Sequence, residues 1–288
     1  MKTNEIQIRD PFILTHDGYY YLYGTTDKNA WTGGSGFEAY KGTDLENWEP
    51  LGNVFDRPQG YWGKVNFWAP EVHEYKGKFF MFASFKDEDV CRGTAVLKAD
   101  CPEGPFRPWS ERALTPKQWE CLDGTLYVEN GTPYLVFCHE WVQVGDGEIL
   151  AMPLTDDLSA PAGEPVLLFH ASDAKGWIRS MSDRGWEKAY VTDGPNLYRT
   201  QDGILYLLWS SFCETGYAIS AARSESGSVL GPWTQEETPM FGKDGGHGMI
   251  FTAFDGQKYL TIHTPNTTPL ERAIFVPVTE SDGKLYIG

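Results

Sequence analysis

Residues 9–26 read RDPFILTHDGYYYLYGTT: a charged opening, an apolar run, the pair Asp17-Gly18, and an aromatic-rich return. Asp-Gly tolerates the positive φ that a tight hairpin turn demands, so the segment is two antiparallel strands joined at their tip. The same grammar returns four times, as APEVHEYKGKFFMFASF (69–85), LDGTLYVENGTPYLVFCHE (122–140), TDGPNLYRTQDGILYLLWSS (192–211) and GHGMIFTAFDGQKYLTIHT (246–264). Their turns fall at Lys76-Gly77, Asn130-Gly131, Asp202-Gly203 and Asp255-Gly256. Taking Asp10, Glu71, Asp123, Asp193 and His247 as the opening residues, the copies stand between 52 and 70 positions apart. That interval is the length of one small four-stranded sheet.

Between the hairpins a second element recurs, TDLENWEPLG from Thr43, CPEGPFRPWS from Cys101, TDDLSAPAGEP from Thr155 and GSVLGPWTQE from Gly227, read as outer strands and turns. No segment longer than a turn sustains a 3.6-residue apolar period, which disfavours a helical bundle or a βαβ fold. The expected fold is all-β, a five-bladed β-propeller with one blade per repeat. A β-sandwich has similar strand content but offers no reason for a fivefold repeat.

The 288 residues, 41% hydrophobic and 15% aromatic, suffice for a large core. No Pro/Ser/Gly linker divides them, so residues 1–288 are expected to form one catalytic domain. A net charge of −16 repels nucleic acid and anionic membranes, and a neutral ligand fits better. No stretch approaches the ~20 apolar residues needed to span a bilayer. The polar opening that runs into a strand pattern over residues 6–13 leads to an expected cytoplasmic location, or a secreted or periplasmic one if a leader precedes this sequence. Five cysteines with no CxxC or zinc spacing read as free thiols. No pattern specifies an oligomeric state.

In a propeller the innermost strands line the central channel, so the five opening residues should converge at one end of the axis. Crowded carboxylates repel one another and resist desolvation, an arrangement that stability alone would not favour. Glycosidic cleavage needs it: one carboxylate polarises water, and a carboxylic acid roughly 6.5–9.5 Å away protonates the departing oxygen in inverting enzymes. A third carboxylate beside the acid raises its pKa. Asp before a turn can also simply cap local N–H groups, a competing role for Asp10 and Asp123. Trp31, Tyr61, Trp62, Phe67, Trp68, Trp141 and Trp209 lie near these motifs in sequence; some should stack on sugar C–H faces while most fill the spaces between blades.

With those residues in view, the chain resembles glycoside hydrolase family 43, the arabinofuranosidase, xylosidase and arabinanase family of inverting five-bladed propellers. RDPFI around Asp10 is similar to the family's general-base motif, FWAPEV around Glu71 to its second-blade signature, and LDGTLYVENGTPYLVF around Asp123 to the segment carrying the aspartate that orients the acid and tunes its pKa. TDGPNLY departs from the usual Glu-Gly-Pro turn, placing Asp193, one methylene shorter, where the family has its glutamate acid. Glu140 in CHEWVQ is the alternative acid. Glu120, in a Trp-Glu-Cys triplet like the acid of a related retaining clan, is set aside because the repeat register favours Asp123.

The resemblance implies an oligosaccharide substrate from plant cell walls. Its sugar would meet Trp68, Glu71, Phe67, Trp31, Glu140, Trp209 and Arg272, with loops 31–37, 57–66 and 170–186 shaping the pocket. It implies no required cofactor. His247 in GGHGMIF resembles an axial histidine that helps hold a hydrated calcium or other cation, although a lone histidine is more often a hydrogen-bonded core residue. The expected activity is exo-acting removal of terminal α-L-arabinofuranosyl or β-D-xylosyl units. A β-D-galactofuranosidase, an arabinanase, a catalytically silent sugar-binding propeller, and a phosphorylase with a basic phosphate cradle are the alternatives.

Overall fold

A computed structural model describes residues 1–288 apart from 27–29, 32, 183–187 and 225. Its strands form five four-stranded antiparallel sheets, each a meander in chain order. The first holds β1 (Arg9–His16), β2 (Tyr19–Thr25), β3 (Gly36–Gly42) and β4 (Glu49–Asp56). The second holds β5 (Val65–Tyr75), β6 (Lys78–Asp87), β7 (Val90–Ala99) and β8 (Arg107–Pro108). The third holds β9 (Cys121–Glu129), β10 (Thr132–His139), β11 (Glu148–Pro153) and β12 (Val166–His170), with a one-turn helix α1 (Trp141–Val144) between its middle strands. The fourth comprises β13 (Asp193–Arg199), β14 (Leu205–Cys213), β15 (Gly216–Ser224) and β16 (Thr234–Gln235), and the fifth β17 (Gly246–Thr252), β18 (Lys258–Thr264), β19 (Arg272–Ser281) and β20 (Lys284–Ile287). The lead strands β1, β5, β9, β13 and β17 touch in cyclic order, β17 returning to β1. The five-bladed propeller is therefore present, and the recurring segments read from sequence as outer elements lead into β4, β8, β12 and β16.

Each blade buries both faces, which is why its inner strands are nearly continuous apolar runs. Along β6, Phe79, Met81, Ala83 and Phe85 enter the core shared with blade one, while Phe80 and Phe82 enter the core shared with blade three. One hydrophobic cluster fills each of the five blade junctions. The last of these, between blades five and one, takes Ile6 and Ile8 from the segment preceding β1.

The hairpin turns follow the sequence reading. Asp17-Gly18, Lys76-Gly77 and Asn130-Gly131 have positive φ at both residues and link strands through two-residue loops. The register of the opening residues differs from that reading. Every lead strand carries a β-bulge near its start, and the residue in the left-handed region is Asp10 (φ 52°), Ala69 (46°), Asp123 (55°), Gly194 (51°) or His247 (48°). Glu71 thus lies two residues past the equivalent position and Asp193 one residue before it.

Candidate active site

Three of the five bulge residues, Asp10, Asp123 and His247, reach the floor of a cavity of about 280 Å³ on the axis, and Asp193 joins them. Its walls come from all five blades: Arg9 and Trp31, Trp68, Glu140 and Trp141, Phe212 and Tyr217, and Asn266. Residues separated by up to 257 positions in the chain thereby share one hollow, because a propeller gathers the start of every repeat at one end.

Asp10 is buried and doubly supported. Its Oδ1 lies 3.1 Å from His247 Nδ1, and its Oδ2 accepts a 2.8 Å bond from the Thr25 hydroxyl. Thr25 Oγ1 itself accepts the Ala69 N–H at 2.9 Å, so its single proton is directed at the carboxylate. Burial alone would raise the Asp10 pKa; the His247 and Arg9 charges and the Thr25 bond outweigh it, and the group is held below the usual carboxylate value. The Asp10 N–H donates to His263 Nδ1 at 3.1 Å. An imidazole nitrogen that accepts carries no proton, so Nε2 holds the hydrogen and bonds Asn266 Oδ1 at 3.1 Å. His263 is neutral, its pKa pushed down to about 4 chiefly by burial, and its 3.6 Å approach to Asp10 is not an ion pair.

Asp193 is only partly buried and faces the cavity. Tyr217 donates to its Oδ2 at 3.0 Å, which leaves Oδ1 to carry a proton. Burial first, and the neighbouring Asp123 second, push its pKa up to about 7, against the opposing pull of His247 and Tyr217. Asp123 is raised well above the usual range by burial and by Asp10, while the Gly194 N–H, donated to its Oδ2 at 3.0 Å, opposes the shift. Asp123 and Asp193 thus form an interacting pair that retains a proton where isolated carboxyls would have lost theirs.

On one wall the Trp68 indole N–H donates to the Ala30 carbonyl, the Trp31 ring meets Trp68 edge-on at 5.4 Å, and the Arg92 guanidinium lies 4.2 Å from the Trp68 ring centre. Arg92 also pairs with Glu140 and bonds Asn66 Oδ1 at 3.2 Å. Arg9 is stacked 5.1 Å from the Trp31 ring and pinned by Glu271 at 2.7 Å and Asn266 at 2.9 Å.

Of the residues expected to touch sugar, Trp31, Trp68 and Glu140 line the cavity. Four do not. Trp209 is fully buried between Phe169 and Trp177, and Phe67 lies in the aromatic core of blades one and two. Glu71, displaced by the bulge, is buried beside His73 at 3.2 Å. Arg272 donates to the backbone carbonyls of Asn4, Pro269 and Glu271. Of the other aromatics singled out, Trp141 lines the cavity, whereas Tyr61 is buried in the core of blades one and two with Trp62 packed against it.

The loop expectations fare unevenly. Trp31 of loop 31–37 and Met181 of loop 170–186 line the cavity; Thr32 and residues 183–187, Trp186 among them, lie outside the described residues. No described residue of 57–66 lines it. Glu120 is engaged by Lys86 and by the Arg92 N–H. His247 Nδ1 is occupied by Asp10 and, at 3.6 Å, by Asp123; among the described residues no three His, Cys, Asp or Glu side chains are grouped to hold a metal. Thr25, Tyr217 and His263 are not among the residues expected from sequence; for Thr25 and His263 the signal available is a hydroxyl or imidazole near the end of the strand paired with a lead strand, whereas Tyr217 lies on β15, one strand further out in blade four.

The model of the glycosyl hydrolases family 43 matches residues 4–283. The chain belongs to that family. Among solved structures, the endo-arabinase from Bacteroides thetaiotaomicron VPI-5482 superposes with a TM-score of 0.91 at 42% identity, over 99% of this chain and 98% of that one. An endo-1,4-beta-xylanase from the same organism gives 0.79 at 26% identity, over 100% and 96%. Among curated proteins, alpha-L-arabinofuranosidase 43 of Humicola insolens is 24% identical over 90% of this chain; the match spans about half, 54%, of that protein's length. Family membership makes a glycoside hydrolase of this propeller, and Asp193, which opens the Asp-Gly-Pro segment at the start of β13, lines the cavity.

Proposed function

We propose that this family 43 member hydrolyses α-L-arabinofuranosyl linkages with inversion, releasing single units from the non-reducing end of plant-cell-wall oligosaccharides. One observation carries the chemistry: in a shared cavity Asp10 is held ionised by the Thr25 hydroxyl and by the nearby His247 and Arg9, while Asp193 keeps its proton up to about pH 7. Asp10 takes a proton from water as it attacks the anomeric carbon, and Asp193 gives its proton to the departing oxygen. Asp123 keeps the acid protonated, and Trp31 and Trp68 offer flat faces to the sugar. Burial raises the pKa of Glu140 against the pull of Arg92, but its carboxylate is tied to that guanidinium and is therefore less free than Asp193 to reach a departing oxygen. Cavity walls drawn from all five blades support attack at a chain end.

The arabinosyl preference leans on the names of the similar proteins, and the endo-arabinase at 42% identity favours a second reading, internal cleavage. A phosphorylase would want a basic cradle. Among the described lining residues Arg9 is the one Lys or Arg side chain, and it is committed to Glu271 and Asn266.

Linear 1,5-arabino-oligosaccharides labelled at the reducing end separate the readings. Exo action yields arabinose and a labelled product one unit shorter from the first turnover; labelled fragments of mid length would establish the endo reading instead. Proton NMR of the first product should show the β anomer, and Asp10→Asn should lower kcat by roughly 10²–10⁴-fold. Binding without turnover would point to a silent lectin-like propeller.

A further inference from the structure

Around the axis runs a ring of hydrogen bonds between neighbouring blades. In each blade, the residue on the second strand that faces the position just before the bulge is Thr25, Ser84, Cys138, Ser210 or His263. Its side chain accepts the N–H of the next blade's bulge residue at four of the five junctions. Thr25 takes Ala69 at 2.9 Å, Ser84 takes Asp123 at 2.9 Å, Ser210 takes His247 at 2.8 Å, and His263 takes Asp10 at 3.1 Å.

The exception is the junction between blades three and four. There the ring position holds Cys138, fully buried, and a thiol is a weak acceptor. The N–H that would have been bound, that of Gly194, goes instead to Asp123 Oδ2 at 3.0 Å. Gly194 follows Asp193 directly, so this bond ties Asp123 to the backbone of the acid itself. The geometry has little slack: a Cβ at Gly194 would lie 2.5 Å from the His247 ring.

We infer that Cys138 is a positioning residue: by failing to accept the Gly194 N–H, it leaves that donor to Asp123 and locks Asp123 against Asp193. A carboxylate that receives a backbone N–H is stabilised as the anion. Losing it would release Asp123 from the backbone beside Asp193 and add to the burial that already pushes Asp123 toward its protonated form, so that the proton shared by the pair sits more on Asp123 and Asp193 ionises at lower pH. This inference rests on the proposed roles of Asp193 and Asp123.

Two variants test it in the whole protein. Cys138→Ser restores a hydroxyl where Ser84 and Ser210 already bind such N–H groups. It should lower kcat about tenfold at pH 7 with KM unchanged, the size expected for one charge-assisted hydrogen bond, and move the alkaline limb of the kcat/KM profile to lower pH. Cys138→Ala, which offers no acceptor, should stay within about threefold of wild type with its limb in place. A merely structural cysteine predicts the reverse order, since serine preserves the volume better than alanine. Equal profiles for both variants, or a wild-type profile for Cys138→Ser, would overturn the inference.

A readout independent of turnover is the Gly194 amide proton in ¹⁵N-glycine-labelled protein. Its shift should follow a carboxyl titration in wild type and Cys138→Ala and lose that dependence in Cys138→Ser; persistence in the serine variant also overturns the inference. If Asp193→Asn leaves the alkaline limb intact, the acid assignment fails, while the amide result still reports on the role of Cys138.

Discussion

Asp10 and Asp193 are the same residue type, and their surroundings drive them in opposite directions. Asp10 has the Thr25 hydroxyl on one oxygen and His247 and Arg9 nearby; Asp193 has one hydroxyl donor and a carboxylate neighbour. The difference has a consequence for stability as well as for catalysis. The folded-state pKa of Asp193, about 7, lies above the 3.8 of an unperturbed aspartate. Through that window the folded protein holds a proton that the unfolded chain has released, so stability falls as pH rises from about 4 to about 7 and stays lower above it. Asp193→Asn, which removes the ionisation, should therefore raise Tm relative to wild type by a few degrees at pH 8 and change it little at pH 4, where the acid is already neutral. Thermal melts at the two pH values check this. An equal shift at both would mean that Asp193 is not held protonated.

At the scale of single strands, the device that builds the site is the bulge at the start of each lead strand. One extra residue in the left-handed region breaks the two-residue alternation and, in blades one, three and five, turns its own side chain toward the axis. Asp10, Ala69, Asp123 and His247 accept the strain that a side chain brings to this conformation; Gly194 avoids it. In blade five the bulge also needs Gly248, where a Cβ would fall 1.7 Å from the Thr261 carbonyl oxygen. Gly248→Ala should lower Tm by several degrees and impair activity through His247, whereas Gly33→Ala, with open space around it, should be nearly neutral. Circular-dichroism melts of the pair make the comparison. The bulges also explain why sequence placed Glu71 and Phe67 wrongly. The acids of the repeat do not share one register, whereas the backbone bulges do, and two residues past its bulge Glu71 falls on a buried stretch of β5.

For the molecule as a whole, the ring must be closed between blade five and blade one, and every blade draws its four strands from one continuous stretch of chain. No strand is shared across the seam. Closure comes from packing and polar contacts: Ile6 and Ile8 in the last interblade cluster, the Ile8 N–H on the Glu271 carbonyl, the Asp10 N–H on His263, and the Arg9–Glu271 pair at 2.7 Å. Glu271 is entirely buried and further bonded by Thr268. Removing one partner of a buried ion pair leaves the other charge uncompensated, typically costing about 3–5 kcal/mol. Glu271→Ala should accordingly lower Tm and raise hydrogen exchange in β1, β17 and β18 first, with β9 and β10 on the far side protected longest. Uniform loss of protection across all five blades would show that the seam is not the weak point.

The sequence by itself determined the number of blades, the hairpin tips and three of the carboxylates that meet on the axis, because turn chemistry and a repeat length of one sheet are local properties of the chain. RDPFI and TDGPNLY could be read without knowing what surrounds them. Tertiary structure alone decided which aromatic faces sugar and which fills a core, since with both faces of a blade buried the apolar pattern of strands such as β14 is the same on either side. It decided, too, that Thr25, Tyr217 and His263 hold the carboxylates, and that Asp10 and Asp193 differ in protonation. Those outcomes depend on electrostatic and hydrogen-bonding contacts between residues far apart in the chain, and such contacts exist only once the ring is closed.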